Sequence, residues 1–252
     1  TIRRRCLRIF YVWHRLCLMT RMRLVLPRCR QGLTPEDIAF LTQALHPVTG
    51  SGADIALLMS DPLIRDRLLD ESSVRYHLLE QPDALNVSAA LYFYVLTRRV
   101  LVEAGVDNCE LADYLASLMV AKLQDRAPDL HVRHVPYVVD AALEIGESCG
   151  AERFFLIVQL ADRLLFISGL YPAHLEQRRQ RRGAPSMHYY DQVGGAHYRA
   201  ASSHVLAKEY CLADIFESLS SAYVEVRAAL NRIGERLAFL GSDGPMPRYL
   251  MN

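Results

Sequence analysis

With 252 residues, 51% of them apolar and 23% charged, the chain can bury a sizeable core and is too apolar to be disordered. A formal net charge of +1 supplies no overall pull toward nucleic acid or an anionic membrane.

The near-neutral total conceals a bias. Arginine outnumbers lysine 27 to 2, and nine arginines lie in the first thirty residues, ahead of the first acid, Glu36. A secretory signal is one reading of that stretch, against which His14 and Arg15 interrupt its apolar run; a transit peptide is another, since the stretch is basic and lacks acids, although it is poor in serine. Residues 1–30 are expected to be a basic, poorly ordered segment upstream of a working start at Met22 or Met19. Starting at Met22 removes six arginines and takes the formal charge from +1 to −5. Residues 31–252 are expected to form a single helical domain, since neither a linker nor a repeat of roughly 20–50 residues divides them. Cys6, Cys17, Cys29, Cys109, Cys149 and Cys211 form no C-x-x-C pair. They are expected to be buried or half-buried free thiols in a reducing cytoplasm.

Helical periodicity governs the rest. Thr34 and Pro35 open a first helix, Ile38, Leu41 and Leu45 line its inner face, and Pro47 is expected to stop it. After a Gly50-Ser51-Gly52 loop, short helices are predicted over 54–60, 62–70 and 73–80. From Ser88 to Glu103 the chain is apolar around most of a helix circumference, as suits a helix enclosed by protein, and Gly105 closes it. Asp107 and Glu110 give a cap signal for a helix bearing Leu111, Tyr114, Leu115, Leu118 and Met119. Residues 128–135 read as loop, followed by helices near 136–147, 151–167 and 172–180. The most apolar stretch, Phe154 to Tyr171, holds Gln159, Asp162 and Arg163 at its centre. Each such charge would cost about 2.5–3.5 kcal/mol in a membrane span, so this is a core helix and no span is expected. Residues 183–195 are expected to begin irregularly, before two long helices over 196–217 and 221–240. The spacing of Tyr223, Val226, Leu230, Ile233, Leu237 and Leu240 marks a seam against another helix of the same chain. The expected architecture is all-α, a single-domain bundle of about nine to eleven helices without a substantial sheet.

The most distinctive residues fall between Asp162 and His204. They are Asp162-Arg163, Ser168-Gly169-Leu170-Tyr171-Pro172, the run Arg178-Arg179-Gln180-Arg181-Arg182, His188-Tyr189-Tyr190-Asp191 and Gly194-Gly195. With the Leu91–Gly105 stretch, these resemble a group of uncharacterised bacterial all-helical proteins. The resemblance implies an all-α fold and carries no activity with it.

Three functional readings follow. Four guanidinium groups at Arg178, Arg179, Arg181 and Arg182 could hold the phosphates of a nucleotide or nucleic acid, or could simply end a helix where cations suit its dipole. Asp162, in an apolar helix, must be paired or shift its pKa. With Arg163, His188, Tyr189 and Tyr190 it could form a polar catalytic site, or it could be bonded to a tyrosine hydroxyl for structural reasons. His131 with His134, and His197 with His204, offer pairs without a third ligand, so no metal or other cofactor is expected. Gly50-Ser51-Gly52 lacks the lysine of a phosphate loop, and Gly194-Gly195 could present N–H groups only if it preceded a helix. The leading expectation is a cytoplasmic, non-catalytic interaction or regulatory protein whose partner is another protein.

Overall fold

The computed structural model describes residues 24–49, 54–80, 87–124 and 138–243. Among these residues there are thirteen helices and no strand: α1 Pro35–Thr49, α2 Ile55–Leu58, α3 Pro62–Leu69, α4 Ser72–Leu79, α5 Ala89–Glu103, α6 Cys109–Gln124, α7 Val138–Glu147, α8 Gly150–Leu170, α9 Pro172–Arg182, α10 Met187–Ser202, α11 Val205–Glu209, α12 Ala213–Ser221 and α13 Tyr223–Asp243. The all-α architecture read from periodicity is therefore present, with more helices than the nine to eleven expected.

At the centre, α5 pairs with α6 and α8 pairs with α10. Helix α13 lies against both α5 and α8, and α12 joins α6 to α10. The apolar run of α5 is enclosed as its sequence demands: Leu91, Tyr92, Phe93, Tyr94, Val95 and Leu96 are all buried. Tyr223, Val226, Leu230 and Ile233 of α13 are buried too, so the 3–4 stripe is an intramolecular seam. A smaller apolar cluster, Ile145, Leu160, Leu164, Leu175 and Tyr190, joins α7 and α9 to the outer side of α8 and α10.

Capping fixes where the helices begin. Thr34 and Asp37 bond each other's backbone N–H groups at 3.2 and 2.9 Å, and Asp37 also accepts the N–H of Ser88 at 2.7 Å. One buried carboxylate thus ties the start of α1 to the start of α5. Helix α5 ends on Gly105 at φ 81°, with Val106 N–H returning to Leu101 C=O and Gly105 N–H to Val102 C=O, the paired closure that a left-handed residue permits.

Several expectations are corrected. Helix α1 runs through Pro47 to Thr49, because in a last turn the missing N–H removes only one bond. The cap of α6 is Asn108, whose Oδ1 accepts the N–H of Leu111 at 2.9 Å, while Asp107 is drawn to Arg98. The irregular segment from Gly183 to Ser186 is only four residues long, and Gly194-Gly195 lies inside α10 rather than ahead of a helix. The single helix expected over 196–217 is three. Ser202 and Ser203 bond back to carbonyls of α10, the His204 ring caps α11, and Cys211 adopts φ 56° at the next reversal. The break lets Ile215, Phe216 and Leu219 of α12 turn inward beside α10 and α6.

The basic segment expected to be poorly ordered through residue 30 is packed from residue 24. Leu24, Val25 and Leu26 lie on the core, and Cys29 and Arg30 are buried. The thiols also divide otherwise than expected: Cys29 is buried and Cys109 half-buried, but Cys149 and Cys211 are exposed, and all four are free.

A glycine decides how closely α10 and α13 approach. A Cβ on Gly194 would overlap the ring and hydroxyl of Tyr223, whereas one on Gly195 would make ordinary contacts, the nearest at 3.6 Å. Gly194→Ala is therefore expected to lose about 1–3 kcal/mol of unfolding free energy through overpacking. Gly195→Ala, in the same helix turn, should gain up to about 1 kcal/mol by lowering the chain's backbone freedom. Urea denaturation of both variants measures the contrast, and equal effects would contradict the close approach.

Candidate functional site

Asp162 sits midway along α8 with its side chain buried in the core. Its Oδ1 accepts two hydrogen bonds, from Tyr114 Oη of α6 at 2.6 Å and from Tyr198 Oη of α10 at 2.8 Å. Burial pushes its carboxyl up to about 6, against the opposing pull of the two hydroxyl bonds and of Lys122. Burial, together with the adjacent carboxylate, likewise raises the Tyr114 and Tyr198 hydroxyls well above their usual range. Both rings also pack on Phe216, with centroids 5.7 Å apart in each pair. The result is a hydrogen-bonded tie among three helices, set in an aromatic shell.

The other residues proposed for this site do not gather there. His188 is exposed, ten residues before Tyr198 on α10, which is about 15 Å along a helix. Tyr190 is buried in the smaller apolar cluster, and the half-buried Tyr189 meets it edge-on at 6.0 Å. Arg163 is half-buried and has an interaction of its own. No acid–base pair of Asp162 with His188 is assembled.

The arginine run is also dispersed along α9. Arg179 is held by Glu176 of the same helix at 2.9 Å, and Arg181 is exposed. Arg178 turns toward Tyr190, its charge opposing the rise that burial imposes on that hydroxyl. Arg182 lies on the same helix, but its side chain falls outside the described set. Of the histidines, His197 bonds the Val193 carbonyl at 2.7 Å, while His204 caps α11 and stacks on Phe154 at 4.9 Å. His131, His134 and Gly50-Ser51-Gly52 lie outside the described residues. Among the described residues no three His, Cys, Asp or Glu side chains could share a metal ion.

The densest charge cluster was not singled out from the sequence. Buried Arg30 donates from Nη1 to both oxygens of Asp66 at 2.7 Å, from Nε to Asp113 Oδ2 at 3.1 Å, and from Nη2 to Glu110. Its guanidinium also lies 5.8 Å from the centroid of the Tyr94 ring. Burial opposes its charge, but the three carboxylates outweigh that and hold its pKa above the usual arginine value. Alongside it, Arg98 of α5 bonds Asp70 at 2.8 Å and Asp107 at 2.5 Å. Asp107, Glu110 and Asp113 recur every three residues at the start of α6, a spacing that could have signalled an acidic stripe awaiting cations. The cations come from a segment read as tail and from a helix read as apolar around most of its circumference.

A shallow groove of about 310 Å³ opens between α4 and α5, lined by Arg75, Tyr76, Glu80, Arg99, Val102 and Glu103, none of them a residue proposed from sequence. Among the described residues no single helix is long and apolar enough to cross a membrane; α8 reaches that composition only in combination with α9, across a 92° bend. No family model, curated protein or solved structure matches the chain.

Two measurements test these clusters. Arg30→Ala should cost about 3–5 kcal/mol in denaturant unfolding, because it strands the buried Asp113 carboxylate. Arg30→Lys should recover only part, since an ammonium cannot span three carboxylates. For Asp162 the folded pKa of about 6 lies above the ordinary aspartate value of 3.8, so the folded chain binds this proton more tightly than the unfolded one. Its penalty is relieved as pH falls from about 6 toward 4 and is complete above 6. Wild type should therefore lose roughly 1 kcal/mol relative to Asp162→Asn between about pH 5 and pH 8. Parallel pH profiles for the two proteins would show that the carboxyl titrates normally.

Proposed function

We propose that the chain is a helical interaction protein that binds another protein through the α2–α3 corner and catalyses nothing. The observation that carries this reading is the apolar surface of that corner. Leu57 is 67% and Leu63 78% exposed, with Ile64 at 38%. Ala56 and Pro62 are exposed beside them, which puts five exposed apolar residues within nine positions. Single exposed leucines are ordinary, but a run of this kind marks a contact surface. Covering one such side chain fully contributes about 1.5–3 kcal/mol.

The corner is also held in shape. Asp54 accepts the N–H of Leu57 at 3.1 Å, and Asp61 accepts those of Leu63 and Ile64 at 2.8 and 3.1 Å. A fixed backbone presents the leucines at little further entropic cost on binding. A non-catalytic role draws support from the separation of Asp162 from His188. The anion-binding alternative on α9 has less support, with Arg179 engaged by Glu176. Exposed free thiols at Cys149 and Cys211 suit a reducing compartment, and we place the protein in the cytoplasm on that ground.

A photo-crosslinking amino acid at Leu63, introduced in the producing cell, tests the reading. It should give a discrete adduct that disappears when Leu57→Asp is added, while the same probe at exposed Glu144 on α7 gives none. An identical adduct pattern at the two positions would overturn the proposal.

A further inference from the structure

Helices α4 and α5 place two matching side-chain stripes across a groove from each other. Arg75, Tyr76 and Glu80 face Arg99, Val102 and Glu103, with about 310 Å³ between them. The floor has apolar character, as Tyr76 is 56% and Val102 43% exposed. Helix α13 adds Arg232 and Arg236 at the rim.

The charge of this groove is unbalanced. Arg99 is shared between Glu80 at 2.7 Å and Glu103 at 3.0 Å. Arg236 stands 3.8 Å from Glu80, and Arg232 stands 3.5 Å from Glu103. Arg75 has no carboxylate within ion-pair distance among the described residues. Among the described residues four guanidinium groups thus meet two carboxylates, with Arg236 also donating from Nη2 to the Leu79 carbonyl. These pairs are half-exposed or exposed, in a setting where an ion pair contributes about 0–1 kcal/mol, so an incoming carboxylate exchanges with one of them at little cost. The Arg30 cluster differs, because its cation is buried and its carboxylates are already in place.

We infer that the α4–α5 groove, with its α13 rim, docks a short acidic segment of a partner protein, its carboxylates on Arg75 and Arg232 and an apolar side chain against Tyr76 and Val102. Tyrosine and arginine are among the side chains that most often dominate such contacts. Glu80 and Glu103 inside the groove repel a continuous phosphate backbone, which favours a peptide with spaced carboxylates over nucleic acid. The inference rests on the interaction reading above and adds a surface of different chemistry to it.

The test uses the full chain and a fluorescein-labelled peptide of Glu and Asp around two central leucines, read by fluorescence anisotropy. Controls replace the acids by Lys or the leucines by Gly. The acidic peptide should bind at least about tenfold more tightly than its Lys counterpart. Affinity should fall about tenfold in Arg75→Glu and in Arg232→Glu, and several-fold in Tyr76→Ala or with the Gly peptide. Arg181→Glu on α9 makes the same change in net charge and should leave binding unaltered. Absence of binding, equal affinity for the Glu and Lys peptides, or an equal loss in Arg181→Glu would overturn the assignment. A single-stranded DNA that competes more strongly than the peptide would also overturn it, in favour of a nucleic-acid site. Failure here leaves crosslinking at Leu63 untouched, and failure at Leu63 leaves the anisotropy untouched, so the two readings fall separately.

Discussion

A single carboxylate oxygen sets the register of the central helices. Asp162 cannot be placed in an apolar interior without donors, and the donors supplied are two tyrosine hydroxyls from two other helices. Sliding α6 or α10 along α8 by one residue, about 1.5 Å, would break one of these bonds and leave the carboxylate short of a partner. Nonpolar packing alone tolerates such slips more readily, so the buried acid contributes specificity to a core whose stability comes mostly from aliphatic and aromatic burial.

The same economy explains where the other charges lie. Arg30 and Arg98 reach the interior only because Asp66, Asp70, Asp107, Glu110 and Asp113 converge on them from α3, the start of α6 and the adjoining turns. Arg30 is a structural clamp, with Nε, Nη1 and Nη2 all donating to carboxylates, and Arg98 holds its two through Nε and Nη2; releasing either costs desolvation that no outside ligand readily repays. Charge placed on the surface behaves differently. The pairs across α4, α5 and α13 are hydrated and exchangeable, and beside them Tyr76 and Val102 remain open to solvent. The surface is therefore where recognition chemistry is available, and the interior is where charge has been used to hold the fold.

The proposed contact surfaces share a physical form. At the α2–α3 corner and along the α4–α5 groove, large apolar side chains stand outside the core on helices held by caps or ion pairs. Pre-organisation of this sort leaves most of the burial free energy for binding. Of the polar residues between Asp162 and His204, conspicuous in sequence, Asp162 is hydrogen-bonded in the core, Arg179 pairs with Glu176 within its helix, Asp191 pairs with Arg227 and His204 caps α11.

Helix class and most helix positions could be read from the sequence because they depend on local periodicity. The enclosure of α5, the stripe of α13, the Gly105 closure and the core placement of Asp162 all follow from residue spacing and the cost of burying charge. The sequence did not disclose which residues would meet. Asp162 could have paired with His188 as readily as with Tyr114 and Tyr198, and Arg30 looked like part of a tail until Asp66, Glu110 and Asp113 surrounded it. The division of 196–217 into three helices was equally hidden, because those residues favour helix throughout and the chain reverses only so that Phe216 and Leu219 can be buried. Periodicity is a property of neighbours in sequence, whereas partnership between charges depends on the paths of several helices together, and only the tertiary structure decides those.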